Sequence, residues 1–332
     1  MLINNSILSI VIPTRNRAEY LKETLYNLIE NLIYNIEIII VDGNSSDNTF
    51  DIINELSSTY QNIKYFKLTD NKGFDFDLNY GIINSTSKFC WMFSDDDIVQ
   101  GKDLNIIIEK INYLQDHNLI LLNASIYNID FTEVLQNKFI DLKTKSGNDA
   151  QEIFDSFISY LSFFGGCIIN RNYWIKADSE KYFGTLFVHI GVIFSDKRIK
   201  WHWISEPYIK IRYGNASWAK NSLEIWLTLW PNLLNSLNII NKNAINKQIY
   251  TTPLIHLKKF ILFKALGTYN NAKANKVYKT YDEFYLKIIQ FIVNLIPRKI
   301  CFTISIILAK IFKKHTILYD LKNIKKTNNK KT

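Results

Sequence analysis

Three consecutive carboxylates, Asp95, Asp96 and Asp97, follow an apolar, aromatic-rich run at residues 88–94 that is typical of a β-strand. Like charges packed at one strand end repel and raise each other's pKa, so adjacent acids add no evident stability to a fold. A divalent cation changes that balance, because Mg²⁺ and Mn²⁺ bind carboxylate oxygens and often a substrate phosphate as well. The alternative is a solvated acidic turn that caps the helix predicted to start near Gly101, since Asp is a favoured N-cap residue.

The elements around these acids alternate between strand and helix. Strands are predicted at residues 7–14, 37–42, 63–68 and 88–94, and helices at about 18–32, 49–57 and 102–115, with one more after Gly73. This alternation predicts an α/β fold with a mostly parallel sheet that is flanked by helices on both faces. Ligands of such sheets bind at the carboxyl ends of the strands.

Polar residues gather at those predicted strand ends: Thr14, Arg15, Asn16, Asp42, Asp70 and Asp95–Asp97. The chain has no GxGxxG motif after the first strand and no GxxxxGK[ST] motif, which argues against a dinucleotide-binding fold and a P-loop NTPase. An acid-rich rim with few basic residues favours a diphosphate that a metal ion bridges.

Four segments resemble, in order and spacing, the motifs of family 2 glycosyltransferases, which have the GT-A fold. They are Ser-Ile-Val-Ile-Pro-Thr-Arg-Asn-Arg (9–17), Glu-Ile-Ile-Ile-Val-Asp-Gly-Asn-Ser-Ser-Asp (37–47), Asn-Lys-Gly (71–73) and Phe-Ser-Asp-Asp-Asp-Ile (93–98). The resemblance spans about residues 7–125. It implies a nucleotide-diphospho-sugar donor, Mn²⁺ or Mg²⁺ as cofactor, and usually inversion at the anomeric carbon.

By position, the resemblance implies that Thr14 and Asp42 contact the base and ribose, that Asp95 contacts the ribose or the metal, and that Asp96, with Asp97, binds the metal. The other implied donor-site residues are Pro13, Arg15, Asn16, Lys72 and Asp75. Two departures from the family pattern matter. Ser94 stands where the first Asp of a DxDD motif is usual, which leaves the register of the acids open by one residue. Leu78 stands where an Arg often holds the nucleotide, so Lys72 and Arg15 are the candidates for that charge.

Several of these residues also have a purely structural interpretation. Asp42 could cap the following turn, since Asp favours such positions. Asp75 and Asp77 could be solvated acids on a helix surface, and Arg15 and Arg17 could simply face solvent.

Residues 126–220 are predicted to form the acceptor half. Gly165 and Gly166 open a predicted strand, where paired glycines allow a close approach, and the resemblance places them beside the acceptor.

His189 lies in an apolar stretch where many relatives carry an Asp base, and its ordinary pKa of about 6.5 suits general-base catalysis. The alternative is a core histidine bonded to the backbone. With residues 215–218, this pattern resembles the abequosyltransferase-type branch, whose members build surface polysaccharide. Arg212 and His202 are candidates for a second contact to the diphosphate.

The C-terminal third is helical in pattern and carries much of the net charge of +9. Its apolar segments at 284–296 and 300–312 are each shorter than the ~20 residues that span a bilayer. Basic residues flank and follow them: Lys287, Arg298, Lys299, Lys310, Lys313, Lys314, Lys322, Lys325, Lys326, Lys330 and Lys331. This pattern predicts peripheral contact with the anionic inner face of the cytoplasmic membrane. The alternative is a packed helical pair with a disordered tail. No motif supports nucleic-acid binding.

The sequence therefore predicts a GT-A catalytic domain at 1–220, with a nucleotide-sugar half (1–125) and an acceptor half (126–220), and a basic helical region at 221–332. Three cysteines without paired spacing and an N-terminus without signal-peptide features favour a reducing, cytoplasmic setting.

The predicted reaction is metal-dependent, inverting transfer of a sugar to a hydroxyl of a growing glycan or glycolipid. One alternative is a sugar-phosphate nucleotidyltransferase, which would normally carry a Gly-rich basic loop after the first strand. The other is a non-catalytic, membrane-bound scaffold of a glycan-assembly complex.

Overall fold

The computed structural model describes residues 3–249, 253–272, 274–275 and 284–329. The chain divides into two compact units, one made of residues up to 126 together with 137–212, and the other of 127–136 together with the residues from 213 onward. The ten-residue segment 127–136 belongs to the second unit, and the predicted domain boundary at residue 220 stays a prediction. Lys330 and Lys331 of the predicted basic tail lie outside the described residues.

The first unit is built on a large mixed sheet. Its strands are β1 (Ile3–Thr14), β2 (Tyr34–Asp42), β3 (Ile63–Lys67), β4 (Phe89–Met92), β5 (Leu119–Tyr127), β7 (Lys145–Asp149), β8 (Cys167–Asn170) and β9 (Arg198–Arg212), while β6 (Val134–Gln136) lies in the second unit. The strand order is β3-β2-β1-β4-β8-β5-β9-β7. The α/β architecture with helices around a central sheet is confirmed.

The four strands β1–β4 are parallel, as their alternation with helices predicts. The helices between and after them are α1 (Ala18–Ile29), α2 (Thr49–Thr59), α3 (Phe74–Ile83) and α4 (Gly101–Tyr113). Ile10 on β1 pairs with Ile38 on β2 and with Trp91 on β4, and all three side chains are fully buried. Residues 7–12 of β1, 38–42 of β2 and 89–92 of β4 are buried in unbroken runs, as in covered parallel strands, whereas the edge strand β3 is only partly buried.

Beyond residue 125 the sheet is no longer parallel. Strand β8 runs antiparallel to both β4 and β5, with Phe89 opposite Asn170 and Leu119 opposite Ile169, and β7 is antiparallel to β9. The sequence predicts strands in this part but not their direction, because short strands with irregular connections carry no crossover signal. Three helices complete the unit: α5 (Ala150–Phe157), α6 (Arg171–Lys176) and α7 (Val188–Ile193).

The second unit is helical, as predicted. Its helices are α8 (Ser222–Glu224), which continues through a π-helical turn (Ile225–Leu229) into α9 (Trp230–Ser236), then α10 (Lys242–Ile249), α11 (Pro253–Leu266), α12 (Phe284–Leu295), α13 (Arg298–Ile311) and α14 (His315–Asn329). The unit has its own core, in which Leu223, Phe260, Leu286 and Leu321 are fully buried. The Tyr213 hydroxyl donates to Asp320 Oδ2 at 2.8 Å.

None of the helices in the described part of the chain is, by itself, both long and apolar enough to cross a bilayer. Helices α12 and α13 meet that test only when they are counted together, and they are bent by 108° at the break between them.

Candidate functional site

Thr14 connects the ends of three neighbouring strands. It lies beside Asp42 in the parallel register of β1 and β2. Its hydroxyl Oγ1 donates to Asp95 Oδ2 at 2.8 Å, which links β1 to the loop after β4. All three side chains are buried, with Asp42 fully inaccessible to solvent. The structure thus brings the predicted rim residues of β1, β2 and β4 together.

Asp95 and Asp96 share one cationic partner, Arg17. Its Nε donates to Asp95 Oδ1 at 2.8 Å, and its terminal nitrogen NH2 contacts Asp96 Oδ2. Ser94 Oγ donates to the other oxygen of Asp96. Burial, together with the neighbouring charge of Asp96, raises the pKa of Asp95 to about 6 against the opposing effect of Arg17. Arg17, which the sequence allowed to face solvent, is the counter-ion of both acids.

Asp97 has different partners and a structural position. Its side chain accepts a hydrogen bond from the backbone N–H of Arg212 at 2.9 Å, and its carbonyl oxygen accepts one from Thr24 Oγ1 at 2.9 Å. Burial, followed by the charge of Asp96, raises the pKa of Asp97 well above its ordinary value. Arg212, a candidate for diphosphate contact, donates from Nε to the Asp96 carbonyl oxygen at 2.9 Å and pairs with Glu23. Arg212 therefore fixes the acidic loop through its contacts with Asp96 and Asp97.

The two carboxylates Asp95 and Asp96 fit a divalent cation that a substrate helps to hold. Within the described ranges, no three His, Cys, Asp or Glu side chains converge on a complete metal site. Mg²⁺ is usually held by one or two carboxylates together with water and substrate phosphates, so a full protein cage is not required. The positively charged guanidinium of Arg17 already contacts both carboxylates. The Asp97 carboxylate accepts from the Arg212 backbone, and its predicted role as a metal ligand stays a prediction.

Each side-chain oxygen of Asp42 accepts a hydrogen bond from a neighbour in the same half of the unit. Its Oδ1 accepts from the backbone N–H of Ser45 at 2.7 Å, and its Oδ2 accepts from the Tyr65 hydroxyl at 2.5 Å. Burial, followed by the hydrogen bond to Asp42, raises the pKa of Tyr65, which therefore stays a donor. The first of these bonds is the turn cap that the sequence offered as an alternative.

The other predicted donor-site residues border this region. Pro13 is partly buried near the end of β1, and Arg15 is exposed. Asn16 adopts a left-handed φ of 54° and accepts from the backbone N–H of Ser46 at 2.7 Å, which ties the loops after β1 and β2 together. Lys72 is exposed, and its Nζ lies 4.7 Å from the centre of the Phe76 ring.

Asp75 and Asp77 are not solvated, which corrects that interpretation of their helix. They are only 3% and 5% exposed. Asp75 accepts hydrogen bonds from the backbone N–H groups of Leu186 and Val188 at 2.8 and 3.0 Å. Leu186 has a strained, left-handed φ of 68°, so Asp75 stabilises the turn that leads into α7.

Gly165 and Gly166 allow aromatic rings to approach the backbone. A Cβ on Gly165 would come within 2.5 Å of the Phe163 ring, and one on Gly166 within 2.2 Å of the Tyr160 hydroxyl. The indole of Trp91 donates to the Gly165 carbonyl oxygen at 2.7 Å. The close approach predicted at these glycines is thus made by side chains of the same unit.

His189 lies in the core, at 1% exposure. Its Nε2 is 2.7 Å from the carbonyl oxygen of Leu161, and among the described residues its Nδ1 has no hydrogen-bond partner. Burial lowers the pKa of His189 to about 4, so the ring is neutral near pH 7. These contacts match the backbone-bonded core histidine that the sequence offered as the alternative to a general base. The catalytic role stays a prediction.

Acidification is expected to destabilise the first unit through His189. The folded pKa of about 4 lies below the ordinary 6.5, so the unfolded chain binds the proton first as the pH falls. Stability from the neutral ring is complete above pH 6.5 and is lost towards pH 4, by about 2 kcal/mol at pH 5. Urea unfolding of wild type and His189→Gln at pH 7.5 and pH 5 measures this loss as the difference between the two proteins.

The same variant separates the two interpretations of His189. If His189 has only a core role, the stability of His189→Gln should depend less on pH than that of wild type, and its kcat should be unchanged. If His189 is the general base, the same change should lower kcat by roughly 10²-fold or more. Equal pH dependence in both proteins would contradict the buried, neutral histidine.

Comparison with known proteins decides the family. The family model of glycosyl transferase family 2 matches residues 9–176, about half of the chain and most of the first unit. The chain belongs to this family. The matched segment contains every residue of the Thr14–Asp95–Arg17 network and the Asp42 region, so the glycosyltransferase match and the candidate site coincide.

The curated relatives of this glycosyltransferase carry transferase names. Abequosyltransferase RfbV of Salmonella typhimurium is 25% identical in an alignment 305 positions long, which covers 85% of this chain and 89% of that protein. A Campylobacter jejuni enzyme named GalNAc(5)-diNAcBac-PP-undecaprenol beta-1,3-glucosyltransferase is 30% identical over 106 residues, or 32% of this chain and 34% of the relative.

Solved glycosyltransferase structures share the fold. Staphylococcus aureus TarS 1-349 in complex with UDP superposes with a TM-score of 0.55 at 13% identity, covering 86% of this chain and 88% of that one. The mannosyltransferase PcManGT of Pyrobaculum calidifontis, in complex with GDP-Man and Mn²⁺, superposes with a TM-score of 0.52 at 13% identity. That match covers 95% of this chain and 85% of the other. The GT-A fold predicted from the motifs is confirmed.

Proposed function

We propose that this glycosyltransferase moves a sugar from a nucleotide-diphospho-sugar donor to a hydroxyl group of a growing surface glycan, with Mn²⁺ or Mg²⁺ bound and with inversion. The observation that carries this proposal is the pair of carboxylates, Asp95 and Asp96, held at the end of β4 by Thr14 and Arg17. Two neighbouring carboxylates at a strand end can hold the divalent cation that a metal-assisted diphosphate leaving group requires.

The names of the relatives support the same reaction class. TarS was solved with UDP, and PcManGT with GDP-Man and Mn²⁺. RfbV is named an abequosyltransferase, and the Campylobacter relative is named for a polyprenol-linked acceptor. A lipid-linked or surface glycan acceptor for this chain is inferred from those names together with its basic C-terminal helices.

Two neighbouring groups of residues would bind different parts of the donor, one the diphosphate and its cation and the other the nucleoside. Asp95 and Asp96 would hold the cation, which neutralises the charge that develops on the leaving nucleoside diphosphate. Arg17 stays beside the same oxygens and can pair with phosphate once the acids bind the cation, since guanidinium groups suit phosphate geometry. Thr14, on the neighbouring strand β1, and Asp42, on the next strand β2, then border the nucleoside.

The acceptor hydroxyl must lose a proton as the new glycosidic bond forms. His189 remains the sequence's candidate for that base, and it would have to leave the Leu161 carbonyl to take the proton. Gly165 and Gly166 lie on the same side of the unit, where the carbonyl of Gly165 is fixed by Trp91. The acceptor is proposed to approach from the side of β8, which begins directly after these glycines.

Thermal unfolding with a panel of nucleoside diphosphates, each with and without Mn²⁺, tests the proposal. A ligand at 100 times its Kd stabilises the native state by about 2.7 kcal/mol, which raises Tm by several degrees. The expected result is a Tm increase that needs both a nucleotide and Mn²⁺. A Tm that no nucleotide changes would favour the non-catalytic scaffold.

We further propose that the helical unit binds the anionic inner face of the cytoplasmic membrane. Helix α12 buries Leu286, Ile289 and Val293, yet its opposite face is also apolar: Phe284, Phe291 and Leu295 are 77%, 65% and 68% exposed. On α13 and just after it, Ile311 and Phe312 are 66% and 58% exposed. Exposed lysines accompany this face: Lys287, Lys299, Lys310, Lys313 and Lys314. An apolar face with basic flanks suits the headgroup region of anionic lipid.

Replacing Phe284, Phe291 and Leu295 together with serine is expected to weaken vesicle binding roughly 100-fold, because each side chain contributes about 1 kcal/mol on partial burial in lipid. Flotation with phosphatidylcholine vesicles, with and without phosphatidylglycerol, measures the effect. The matched control replaces three exposed apolar residues of the first unit, Ile83, Tyr113 and Ile175, with serine. Equal loss in both triple variants, or no preference for anionic vesicles, would contradict a specific membrane face.

A further inference from the structure

A cavity of about 300 Å³ lies in the first unit between the end of α4 and strand β9. Its lining includes two short series of side chains, Lys110, Tyr113 and Leu114 at the end of the helix and His202, Ile204 and Glu206 on the strand. The helix positions are three and four residues apart and the strand positions are two apart, so each series shares one face of its element. Regular elements therefore shape the main walls of the cavity.

This cavity is separate from the candidate donor site. Helix α4 begins at Gly101, directly after the acidic loop, and ends at Tyr113. At 1.5 Å per residue, the helix places the cavity roughly 18 Å from Gly101. His202, which the sequence offers as a second contact to the diphosphate, lines this cavity. A ligand bound here would thus be distinct from the cation and diphosphate assigned to Asp95 and Asp96.

Lys110 and Glu206 bring opposite charges to the cavity. Within the part of the chain that the structure describes, neither side chain forms a hydrogen bond or an ion pair. Burial, followed by the charges of His117 and Lys110, lowers the pKa of His202 against the opposing effect of Glu206, so its ring is neutral near pH 7. The His202 Nδ1 lies 2.7 Å from Ser146 Oγ, which fixes the ring. The cavity thus offers one cation, one anion and one neutral ring to a ligand.

We propose that the cavity binds a neutral pyranose ring, either a free sugar or one unit of a glycan, at a site separate from the donor. The inference goes beyond the proposed function and rests on it only for the source of the ligand, because a glycosyltransferase has glycans among its substrates and products. A volume near 300 Å³ is at the lower end of the range for small-molecule sites and suits a single ring.

The ring would lie against the apolar part of the lining. Tyr113 is 87% exposed at the end of α4, whereas Ile204 is 1% exposed, so the phenol ring is accessible and Ile204 lies deeper. One face of a pyranose ring consists mostly of C–H groups, which pack on aromatic and aliphatic carbon as other apolar groups do. Ligand sites commonly combine such apolar walls with a few placed polar groups.

The hydroxyl groups of the ring match the two charges. An ammonium only donates and a carboxylate only accepts, whereas a hydroxyl does both. Neighbouring hydroxyls of one ring can therefore accept from Lys110 and donate to Glu206 in charge-assisted hydrogen bonds. A phosphate would be repelled by Glu206 and a simple cation by Lys110, so neither gains from both charges. A free amino acid also carries both charges, so tyrosine is the competing probe.

Saturation-transfer NMR on the full chain tests the inference with methyl glycosides of glucose, galactose, mannose and N-acetylglucosamine, an oligosaccharide of each sugar, and free tyrosine. Wild type is expected to bind at least one glycoside. Tyr113→Ala and Glu206→Gln should each weaken that binding roughly 10-fold. Tyr26→Ala, which removes a 43% exposed tyrosine from α1, is the matched control and should keep the wild-type affinity. An oligosaccharide that binds more tightly than its glycoside assigns the site to a glycan, and one that binds more weakly assigns it to a free sugar.

The outcomes separate this inference from the proposed function. Equal glycoside binding in wild type, Tyr113→Ala and Glu206→Gln would overturn the inference, as would binding of tyrosine alone or of no probe at all. Tyr113→Ala should keep the Mn²⁺-dependent rise in Tm with nucleotide, because Tyr113 lies at the far end of α4 from the acidic loop. A chain that binds glycosides in this cavity but no nucleotide would support the inference and overturn the donor proposal.

Discussion

Replacing Asp96 with alanine is expected to lower kcat/KM roughly 10³-fold while the chain stays folded. The change removes one of the two carboxylates that share Arg17, and with it a ligand of the proposed cation. Loss of metal-assisted charge stabilisation costs several kcal/mol in the transition state, and each 1.36 kcal/mol is a factor of ten in rate. Stability should change little, because Asp95 keeps Arg17 and is relieved of a like charge.

Two readouts besides turnover make this prediction specific. Mn²⁺ binding in the presence of a nucleoside diphosphate, followed by the loss of free-ion paramagnetic resonance, should weaken in Asp96→Ala and in Asp95→Asn. Asp51→Asn, which removes one exposed charge from α2, should keep both the Mn²⁺ affinity and kcat/KM. An Asp96→Ala protein that binds Mn²⁺ and turns over like wild type would remove Asp96 from the site.

The sequence predicts the ends of β1, β2 and β4 well for a physical reason. Each strand has a mainly apolar stretch that a polar residue follows, and parallel topology brings those polar residues to one edge. Thr14 and Asp42 are therefore predicted as neighbours, and the register pairs them. The contact of Thr14 Oγ1 with Asp95 follows from the same logic, because β4 lies on the other side of β1.

The roles of the two loop arginines could not be separated from the sequence. Arg15 and Arg17 lie two residues apart in a polar loop, and either could have faced solvent. The left-handed backbone at Asn16 lies between them, so one side chain remains exposed while Arg17 reaches Asp95 and Asp96. Such a choice depends on tertiary contacts about 80 residues away in the chain and leaves no periodic signal.

Burial of Asp75, Asp77 and Arg212 is the other part that local patterns could not give. Helix α3 has no separate polar and apolar faces. The spacing of its two acids therefore could not show that both are buried. An all-round apolar helix that carries acids is itself a signal, because a helix of that kind is normally buried. Arg212 ends β9, far along the chain, and its pairing with Glu23 depends on sheet order.

Gly101→Ala is expected to destabilise the first unit by about 3 kcal/mol or more. Gly101 begins α4 directly after the acidic loop and packs against the connection between α1 and β2. A Cβ there would lie 2.1 Å from the Glu30 carbonyl oxygen and 2.9 Å from the Leu32 nitrogen. Both are backbone atoms, and Asn105 fixes the same connection by hydrogen bonds with Asn31 and Ile33. Neither α4 nor the connection can therefore move aside without a cost in stability.

Urea unfolding of Gly101→Ala beside Gly184→Ala isolates this steric effect. Gly184 has a φ of +84° and open space around it, so its alanine variant pays only backbone strain, about 1 kcal/mol. A Gly101→Ala protein that is as stable as wild type would show that α4 shifts freely. Where the variant does fold, a displaced α4 moves the loop of Asp95 and Asp96, and displacements near 1 Å cost roughly 10²-fold in rate. Mn²⁺-dependent nucleotide binding should therefore weaken with stability in Gly101→Ala, although Gly101 itself bears no ligating group.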